Sequence, residues 1–272
     1  EAMPQEGINQ ADVVFEIMVE GISRLMAVFH SQDAGEIGPT RSARYSDPPI
    51  LALLGRPLFG WSGAADGVAK AVYDSDWVVN VNWDSVKKTD YFRKKGRAAP
   101  HNLFTSTQTL YAYAKADQPP PLQMFSYLGP GEANTGGSPL AGMSLKVGDT
   151  PSSWAWDDAA KHWLRWQYGK RDLTMAGPQA DAQNVVILEI RYKGTRMAPT
   201  AVVDGQGTAI VMTGGQAYRG TWSRQDQLHP VVLTGADNLP MKLAPGRTWV
   251  ELTSGATASP LPADAAAALL KG

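Results

Sequence analysis

The chain has 272 residues, of which 43% are hydrophobic, so it is long enough to bury the core of one large domain or of two ordinary ones. Its 25 lysines and arginines are balanced by 26 aspartates and glutamates, which excludes a global positive field that would attract nucleic acid or an anionic membrane. The absence of cysteine excludes disulfides, thiolate metal sites and cysteine nucleophiles, and no apolar run approaches the roughly 18 residues of a membrane-spanning helix.

The first predicted element is a β-hairpin. Apolar residues fill nearly every position from Asp12 to Glu20, which favours a strand that is buried on most of both faces. Residues 20–22 can form a tight turn, and residues 24–30 are a second apolar strand. The segment 33–44 follows with glycine and proline but no apolar period, and it is predicted to be a loop.

The next segments alternate between helix and strand. Asp47 followed by Pro48 predicts the start of a short helix through Leu54, because a carboxylate can accept from free amide groups and proline tolerates the first helical position. A strand, a helix and a second strand are then predicted at residues 56–61, 64–73 and 77–81. This alternation is typical of an α/β layer arrangement.

Segments rich in proline and glycine in the middle of the chain predict a domain boundary. Thr105 or Ser106 can cap a helix that runs to about Ala114. Three prolines at 119–121 and the stretch 129–139, rich in glycine and proline, then break all periodicity. We therefore expect an N-terminal domain over residues 1–139 and a C-terminal domain over residues 140–272.

The second half is dominated by strand patterns. Trp154 and Trp156, a polar turn, and then Trp163 and Trp166 predict a hairpin with aromatic pairs across its strands. Buried packing explains these indoles more simply than an exposed platform for sugar rings. Further strands are predicted at residues 185–192, 209–212, 220–223 and 247–252, with a terminal helix at 265–270. The predicted fold class is α+β, an α/β-layered N-terminal domain followed by a β-rich C-terminal domain.

Two arginines in the loop before the first helix are candidates for chemistry. Arg41 and Arg44 lie three positions apart, so their guanidinium groups repel each other unless an anion stabilises the pair. That anion is either a ligand phosphate or carboxylate, or a protein carboxylate such as Glu16 or Glu20 that holds the loop. The residue types alone leave both interpretations open.

His101 and Asn102 form a second candidate pair. Histidine is the natural general base near neutral pH and asparagine can orient an imidazole, although the same histidine can simply bridge backbone groups ahead of the next helix. The basic stretch 93–101, with aromatic residues at its front edge, is typical of a solvated loop more than of a nucleic-acid site in a chain of balanced charge.

Other chemistry finds no support in the sequence. The four histidines are spread along the chain without a short ligand spacing, so we expect no metal site. Nucleophile-elbow, phosphate-loop and dinucleotide motifs are absent, so we expect no cofactor. Glu16 and Glu20 lie four positions apart, on one face of the predicted strand, so they could form a carboxylate pair like that of a glycosidase. Strand glutamates that face a basic loop more often form salt bridges.

Several segments of the sequence resemble one protein family. GINQADVVFEIMVEGISRLMAVFHS at residues 7–31, GPTRSAR at 38–44 and APHNLF at 99–104 are similar to the YerB-like lipoproteins of Gram-positive bacteria. Shorter similar phrases lie at residues 166–169, 184–186, 220–224 and 245–249, so the resemblance spans nearly the whole chain. It implies an exported, lipid-anchored protein at the outer face of the cytoplasmic membrane, and it carries over no activity.

The chain departs from that family in two places. The family carries a signal peptide and a lipid-modified cysteine before these phrases, so we expect this chain to be a mature or truncated form. The family also commonly shows two glycines after the glutamate of the first turn, where this chain has Gly21 and Ile22. Membrane association is therefore expected only through a lipid anchor that this chain does not carry.

The sequence leads to three hypotheses. The first is an extracytoplasmic binding protein for an anionic small molecule or a cell-wall fragment. Its site would comprise Arg24, Arg41, Arg44, His101, Asn102 and Glu20. The second is a cell-envelope hydrolase or transferase that uses His101 as base with Glu20 or Glu16 as its partner. The third is a structural or partner-binding envelope protein in which the arginines brace the hairpin.

Overall fold

The computed structural model describes residues 2–272. Within that range the strands of the N-terminal half are β1 (Val13–Val19), β2 (Ile22–Val28), β3 (Leu58–Trp61), β4 (Val79–Asn82), β5 (Phe92–Arg93), β6 (Leu103–Phe104) and β7 (Ser138–Pro139). The helices of the chain are α1 (Asp47–Leu51), α2 (Asp66–Tyr73), α3 (Thr107–Tyr111) and α4 (Ala263–Lys271). Two 3-10 turns lie at Ile8–Gln10 and Ala52–Leu54.

Strands dominate the second half of the chain. They are β8 (Gly142–Val147), β9 (Thr150–Asp157), β10 (His162–Gln167), β11 (Lys170–Arg171), β12 (Asp181–Ala182), β13 (Asn184–Glu189), β14 (Arg191–Thr195), β15 (Ala198–Val202), β16 (Gly205–Thr213), β17 (Gln216–Arg224), β18 (Val232–Gly235), β19 (Thr248–Thr253) and β20 (Ser259–Pro260).

A large mixed sheet joins the two ends of the chain. Its strand order is β18-β17-β16-β13-β19-β1-β2, with β7 paired to β17. The first strand, β1, pairs antiparallel with β2 and parallel with β19, so that Glu16 lies directly opposite Glu251. The predicted N-terminal hairpin is confirmed, and its first strand is an interior strand of a sheet built mostly from C-terminal residues.

Two layers of apolar side chains explain why β1 is hydrophobic on both faces. On one face, Val14 and Trp249 pack against Trp154, which belongs to a smaller sheet of order β11-β10-β9-β8-β20, to which β12 adds by pairing with β10. On the other face, Phe15 packs with Leu53 beside α1. The hairpin of β9 and β10 is confirmed, and its tryptophans 154, 163 and 166 are buried core residues.

A small α/β layer covers part of the large sheet. Strands β3 and β4 are parallel and are connected by α2, and Trp61 and Val72 form a third core with residues of α1. The predicted helices over 47–54 and 64–73 are confirmed, as is the cap of α3, where the Ser106 hydroxyl accepts from the Thr109 N–H.

The predicted fold class is correct only in part, because the protein is more strand-rich than an α/β-layered first half implies. The α/β arrangement is limited to β3, α2 and β4, whereas β1 and β2 belong to the large sheet. The physical reason is that a strand buried on both faces needs neighbours on both sides, and a wide sheet supplies them. The domain boundary at residue 139 stays a prediction.

Candidate anion-binding site

Four of the six predicted site residues meet at one end of the β1–β2 hairpin. Arg24 lies on β2, opposite Ile17 of β1, and Glu20 lies in the two-residue turn between these strands. Arg41 and Arg44 belong to the loop that leads into α1. We call the three guanidinium groups of Arg24, Arg41 and Arg44 the arginine cluster.

Each arginine of the cluster donates to a backbone carbonyl. Arg24 Nη1 donates to the carbonyl of Ser42, Arg41 Nη1 to Pro100 at 2.9 Å, and Arg44 Nη1 to Ala43 at 2.9 Å. These contacts bring the strand, the loop and the segment around Pro100 together. Each contact uses one of the five N–H donors of its guanidinium group, and the Arg44 Nε is buried without a hydrogen-bond partner among residues 2–272.

Within residues 2–272, Arg44 is the one member of the cluster that pairs with a carboxylate. Its Nη2 lies 2.7 Å from Oε1 of Glu20, whose side chain is 46% exposed. Across residues 2–272, neither Arg24 nor Arg41 forms an ion pair with aspartate or glutamate. Two of the three positive charges therefore lack a direct acidic partner in the described part of the chain.

The loop that carries Arg41 and Arg44 is fixed by its backbone. The Thr40 N–H donates to the Leu103 carbonyl at 2.7 Å, and the Ala43 N–H donates to the Gly63 carbonyl at 3.0 Å. The Arg41 carbonyl accepts from the Ser62 N–H at 3.1 Å. Because two other segments, around Leu103 and at residues 62–63, hold this loop, the cluster is arranged before any ligand arrives, which lowers the entropic cost of binding.

Burial and mutual repulsion both act on the cluster. Burial, and then the charge of Arg44, lower the pKa of Arg24 to about 10, far below the ordinary value for a guanidinium group. Burial and the charge of Arg44 likewise lower the pKa of Arg41. Burial is the larger cause of both shifts, and the neighbouring carboxylates, Glu20 for both arginines and also Asp47 for Arg24, act in the opposite direction.

A buried carboxyl group lies beside the cluster. Asp47, at the first position of α1, accepts from the Arg44 N–H at 2.7 Å and is almost fully buried. Burial raises its pKa to about 6, against the opposing effects of that hydrogen bond and of the charges on Arg24 and Arg44. The sequence analysis treated Asp47 only as a helix start. Its position three residues after Arg44 was the signal that could have indicated a contact with the arginines.

The other two predicted residues take different positions. Asn102 is buried, accepts from Arg93 Nη1 at 2.8 Å and donates to the Arg97 carbonyl at 3.0 Å, so its side chain holds its own loop. His101 is half-buried and follows Pro100, whose carbonyl accepts from Arg41. Asn102 thus contacts Arg93 and Arg97, and His101 adjoins the residue to which Arg41 donates.

A second group of charges lies between the two large sheets. Arg165 is fully buried; its Nη2 lies 2.6 Å from Glu16 Oε2, and its Nη1 donates to Asp172. Trp154 Nε1 donates to Glu251 Oε1 at 2.9 Å. We call Glu16, Arg165, Asp172 and Glu251 the buried charge cluster.

The buried charge cluster was missed by sequence reasoning, which offered Glu16 only as one of two possible carboxylate partners of the loop arginines. Burial, and then the neighbouring Glu16, raise the pKa of Glu251 well above the ordinary glutamate value. Burial also raises the pKa of Asp172, against the effect of Arg165. Since Glu16 has no exposed surface, it is out of reach of any substrate, which leaves the hydrolase hypothesis only Glu20 as an acidic partner.

The arrangement at the arginine cluster is suited to binding an anion. Three guanidinium groups face one exposed and one buried carboxyl group, and two or more bidentate donors can converge on phosphate or carboxylate oxygens. In the described part of the chain, no three histidine, aspartate or glutamate side chains converge on a metal-sized site. A surface depression of about 350 Å³ lies elsewhere, lined by Asp12, Ser31, Gln32, Tyr127 and residues 245–247.

Comparison with known proteins places the chain in a family. Residues 1–120 match the "Protein of unknown function (DUF3048) N-terminal domain", and residues 143–250 match the corresponding C-terminal domain. Over 120 residues the chain is 32% identical to the "Putative lipoprotein YerB" of Bacillus subtilis strain 168. That stretch covers 42% of this chain and 33% of the relative, so it spans about a third of the relative's length.

The fold is shared with a solved structure. The crystal structure of the YerB protein from Bacillus subtilis superimposes with a TM-score of 0.78 over 96% of this chain and 90% of that chain, at 20% sequence identity. Among residues 2–272, no helix is long and apolar enough to cross a membrane. Because the two domain models together match most of the sequence, the chain belongs to the DUF3048 family and contains both its N-terminal and its C-terminal domain.

Proposed function

We propose that the protein binds an anionic ligand at the arginine cluster and works outside the cytoplasmic membrane as a lipoprotein-like member of its family. The support for the location is that a relative is named a lipoprotein. The support for the binding role is that the cluster brings three guanidinium groups together while two of them lack an ion pair within residues 2–272.

The energetics favour a modest affinity. A charge-assisted hydrogen bond contributes about 1.5–3 kcal/mol, and an anion at the cluster gains at least two of them. Loss of translational and rotational freedom offsets much of this gain. We therefore expect a dissociation constant of about a millimolar or weaker for a small anion, and tighter binding for a larger envelope fragment that makes further contacts.

The ligand chemistry follows from the donors. Arginine binds phosphate and carboxylate through two parallel N–H bonds, and both groups occur on fragments of cell-envelope polymers. Arg41 and Arg44 are partly exposed, so a group on the end or the side of a polymer can reach them without opening the fold.

Isothermal titration calorimetry with inorganic phosphate and with anionic cell-wall fragments tests this proposal. Arg41→Ala removes a guanidinium group that has no acidic partner in the described chain, and we expect it to weaken binding by about tenfold, the loss of one charge-assisted bond. Arg219→Ala is the control, because Arg219 is an exposed arginine on β17, away from the cluster. No anion binding by the unmodified protein, or equal loss in both variants, would refute the proposal.

One observation favours a structural or partner-binding role instead. All three arginines donate to backbone carbonyls, which is how side chains brace a loop. That alternative expects Arg41→Ala to lower the melting temperature and to leave ligand binding absent throughout. The two hypotheses therefore differ in the calorimetric titration of the unmodified protein.

A further inference from the structure

The turn between β1 and β2 places a carboxylate on the arginine cluster. Glu20 and Gly21 both have left-handed backbone conformations, with φ values of 50° and 84°, as a two-residue hairpin turn requires. Such a φ is uncommon for a residue other than glycine. In this conformation the Glu20 side chain reaches Arg44, at 2.7 Å, so its carboxylate occupies a place that an incoming anion would take.

The backbone of this turn is fixed, whereas the glutamate side chain is not. The Asp149 N–H donates to the Gly21 carbonyl at 2.8 Å, and a Cβ on Gly21 would lie 3.0 Å from the Arg196 guanidinium group. The Glu20 side chain is 46% exposed, and in the described chain Arg44 is its one hydrogen-bonding partner. It can leave Arg44 by rotating its side chain, with no movement of the turn.

The charge count at the cluster indicates what would replace it. At neutral pH three arginines oppose Asp47 and Glu20, which leaves one net positive charge. When Glu20 rotates away, two positive charges are left uncompensated. A phosphate monoester has a second pKa of about 6 and carries nearly two negative charges with three acceptor oxygens at neutral pH, whereas a phosphodiester carries one.

We propose that Glu20 is a built-in competitor for the arginine cluster and that the ligand group which displaces it is a dianionic phosphate, either free or as a monoester. This inference rests on the proposed function, and it adds the class of ligand and the means by which weaker anions are kept out. A monoanion replaces the single negative charge of Glu20 with another and therefore gains little free energy of binding. A dianion brings one more negative charge and gains an additional attraction to the arginines.

Calorimetry with three probes tests this inference: inorganic phosphate, glycerol 3-phosphate and dimethyl phosphate. For the unmodified protein we expect the two dianions to bind at least about tenfold tighter than the monoanionic diester, since one further charge-assisted bond is worth about that factor. Equal binding of all three would overturn the assignment of ligand class. Tighter binding of glycerol 3-phosphate than of phosphate identifies a monoester as the source, and equal affinities of these two identify free phosphate.

Glu20→Gln removes the competing charge and preserves the shape of the side chain. We expect it to bind phosphate about two- to fivefold tighter, the factor that corresponds to an exposed ion pair. Glu132→Gln is the matched control, because Glu132 has a similarly exposed side chain, 48%, and pairs with Lys242 at 2.9 Å. An unchanged or weaker affinity in Glu20→Gln would overturn the competitor role.

The displacement itself has a second readout. In carboxyl carbon NMR, the resonance that is missing from the Glu20→Gln spectrum should shift when phosphate is added to the unmodified protein. A resonance that stays in place while phosphate binds would contradict displacement. Failure of phosphate to bind at all, or binding that Arg41→Ala leaves unchanged, would instead refute the proposed function, so the two failures are distinguishable.

Discussion

The protein contains two clusters of charged residues near the β1–β2 hairpin that differ in their exposure to solvent. The buried charge cluster lies between the two large sheets, where Arg165 bridges Glu16 and Asp172 with no exposed surface. The arginine cluster lies at one end of that hairpin, and its arginines and Glu20 are partly exposed. In the first cluster acidic groups outnumber the arginine, and in the second the arginines outnumber the acids.

This difference separates a structural role from a binding role. A buried arginine is tolerated only when carboxylates surround it, because removing a charge from water costs several kcal/mol. A partly exposed arginine can keep unmet donors, because water satisfies them until a ligand arrives. Residue type alone therefore does not distinguish the two clusters, whereas the balance of charge and exposure around each arginine does.

The largest expected effect comes from breaking the buried charge cluster. Arg165→Ala leaves Glu16 and Asp172 buried without their cation, and we expect a loss of about 3–5 kcal/mol in the free energy of unfolding. Arg44→Ala removes an arginine from the partly exposed cluster and should cost no more than about 1 kcal/mol. Urea denaturation measures both, and equal losses would show that the two clusters do not differ as described.

Glu251→Gln tests the buried charge cluster through the pH dependence of the free energy of unfolding. The pKa of Glu251 is raised well above 4.5 in the folded protein, so the stability this group contributes is complete below pH 4.5 and is lost as the pH rises toward the folded-state pKa. Glutamine does not titrate and can still accept from Trp154. We expect the free energy of unfolding of the variant to rise relative to that of the unmodified protein by roughly 1.4 kcal/mol per pH unit in that window.

The measurement is the difference between the two unfolding free energies as a function of pH. A difference that stays constant from acid to neutral pH would show that Glu251 keeps an ordinary pKa inside the sheet sandwich. A difference of the opposite sign would show that the neighbouring arginine outweighs burial.

Asp47→Asn tests the arginine cluster in the same way, with a smaller expected effect. Because the folded-state pKa of Asp47 is about 6, its negative charge weakens anion binding above pH 6 and is lost below it. The variant should bind sulfate, whose charge is constant over this range, a few-fold tighter than the unmodified protein well above pH 6 and equally well below it. Calorimetry at both pH values checks this, and an equal gain at both would contradict it.

Local patterns predicted much of the secondary structure. The apolar run of β1, the glycine turn after it, Asp47 with Pro48 at α1 and Ser106 at α3 each express preferences that act over a few residues. The pairing of β1 with β19 was not predicted, because parallel pairing between residues more than 200 positions apart leaves no mark in the neighbouring sequence.

The candidate site divides in the same way. The loop segment 38–44 indicated Arg41 and Arg44, and the predicted hairpin indicated Glu20 and Arg24. The sequence could not show that Glu20 forms an ion pair with Arg44. It also grouped Asn102 with the site, whereas the structure has it bound to Arg93 and to the Arg97 backbone. Side-chain hydrogen bonds of this kind depend on which loops meet in space.

By itself the sequence determined the strand-rich character of the second half, the first hairpin, the family and the residues that carry charge. Only the tertiary structure decided which carboxyl group faces which arginine, and therefore which charges are neutralised in the dry core and which stay partly unmet at the surface. The physical reason is that the energy of a charge depends on its distance to other charges and to water, and folding sets both.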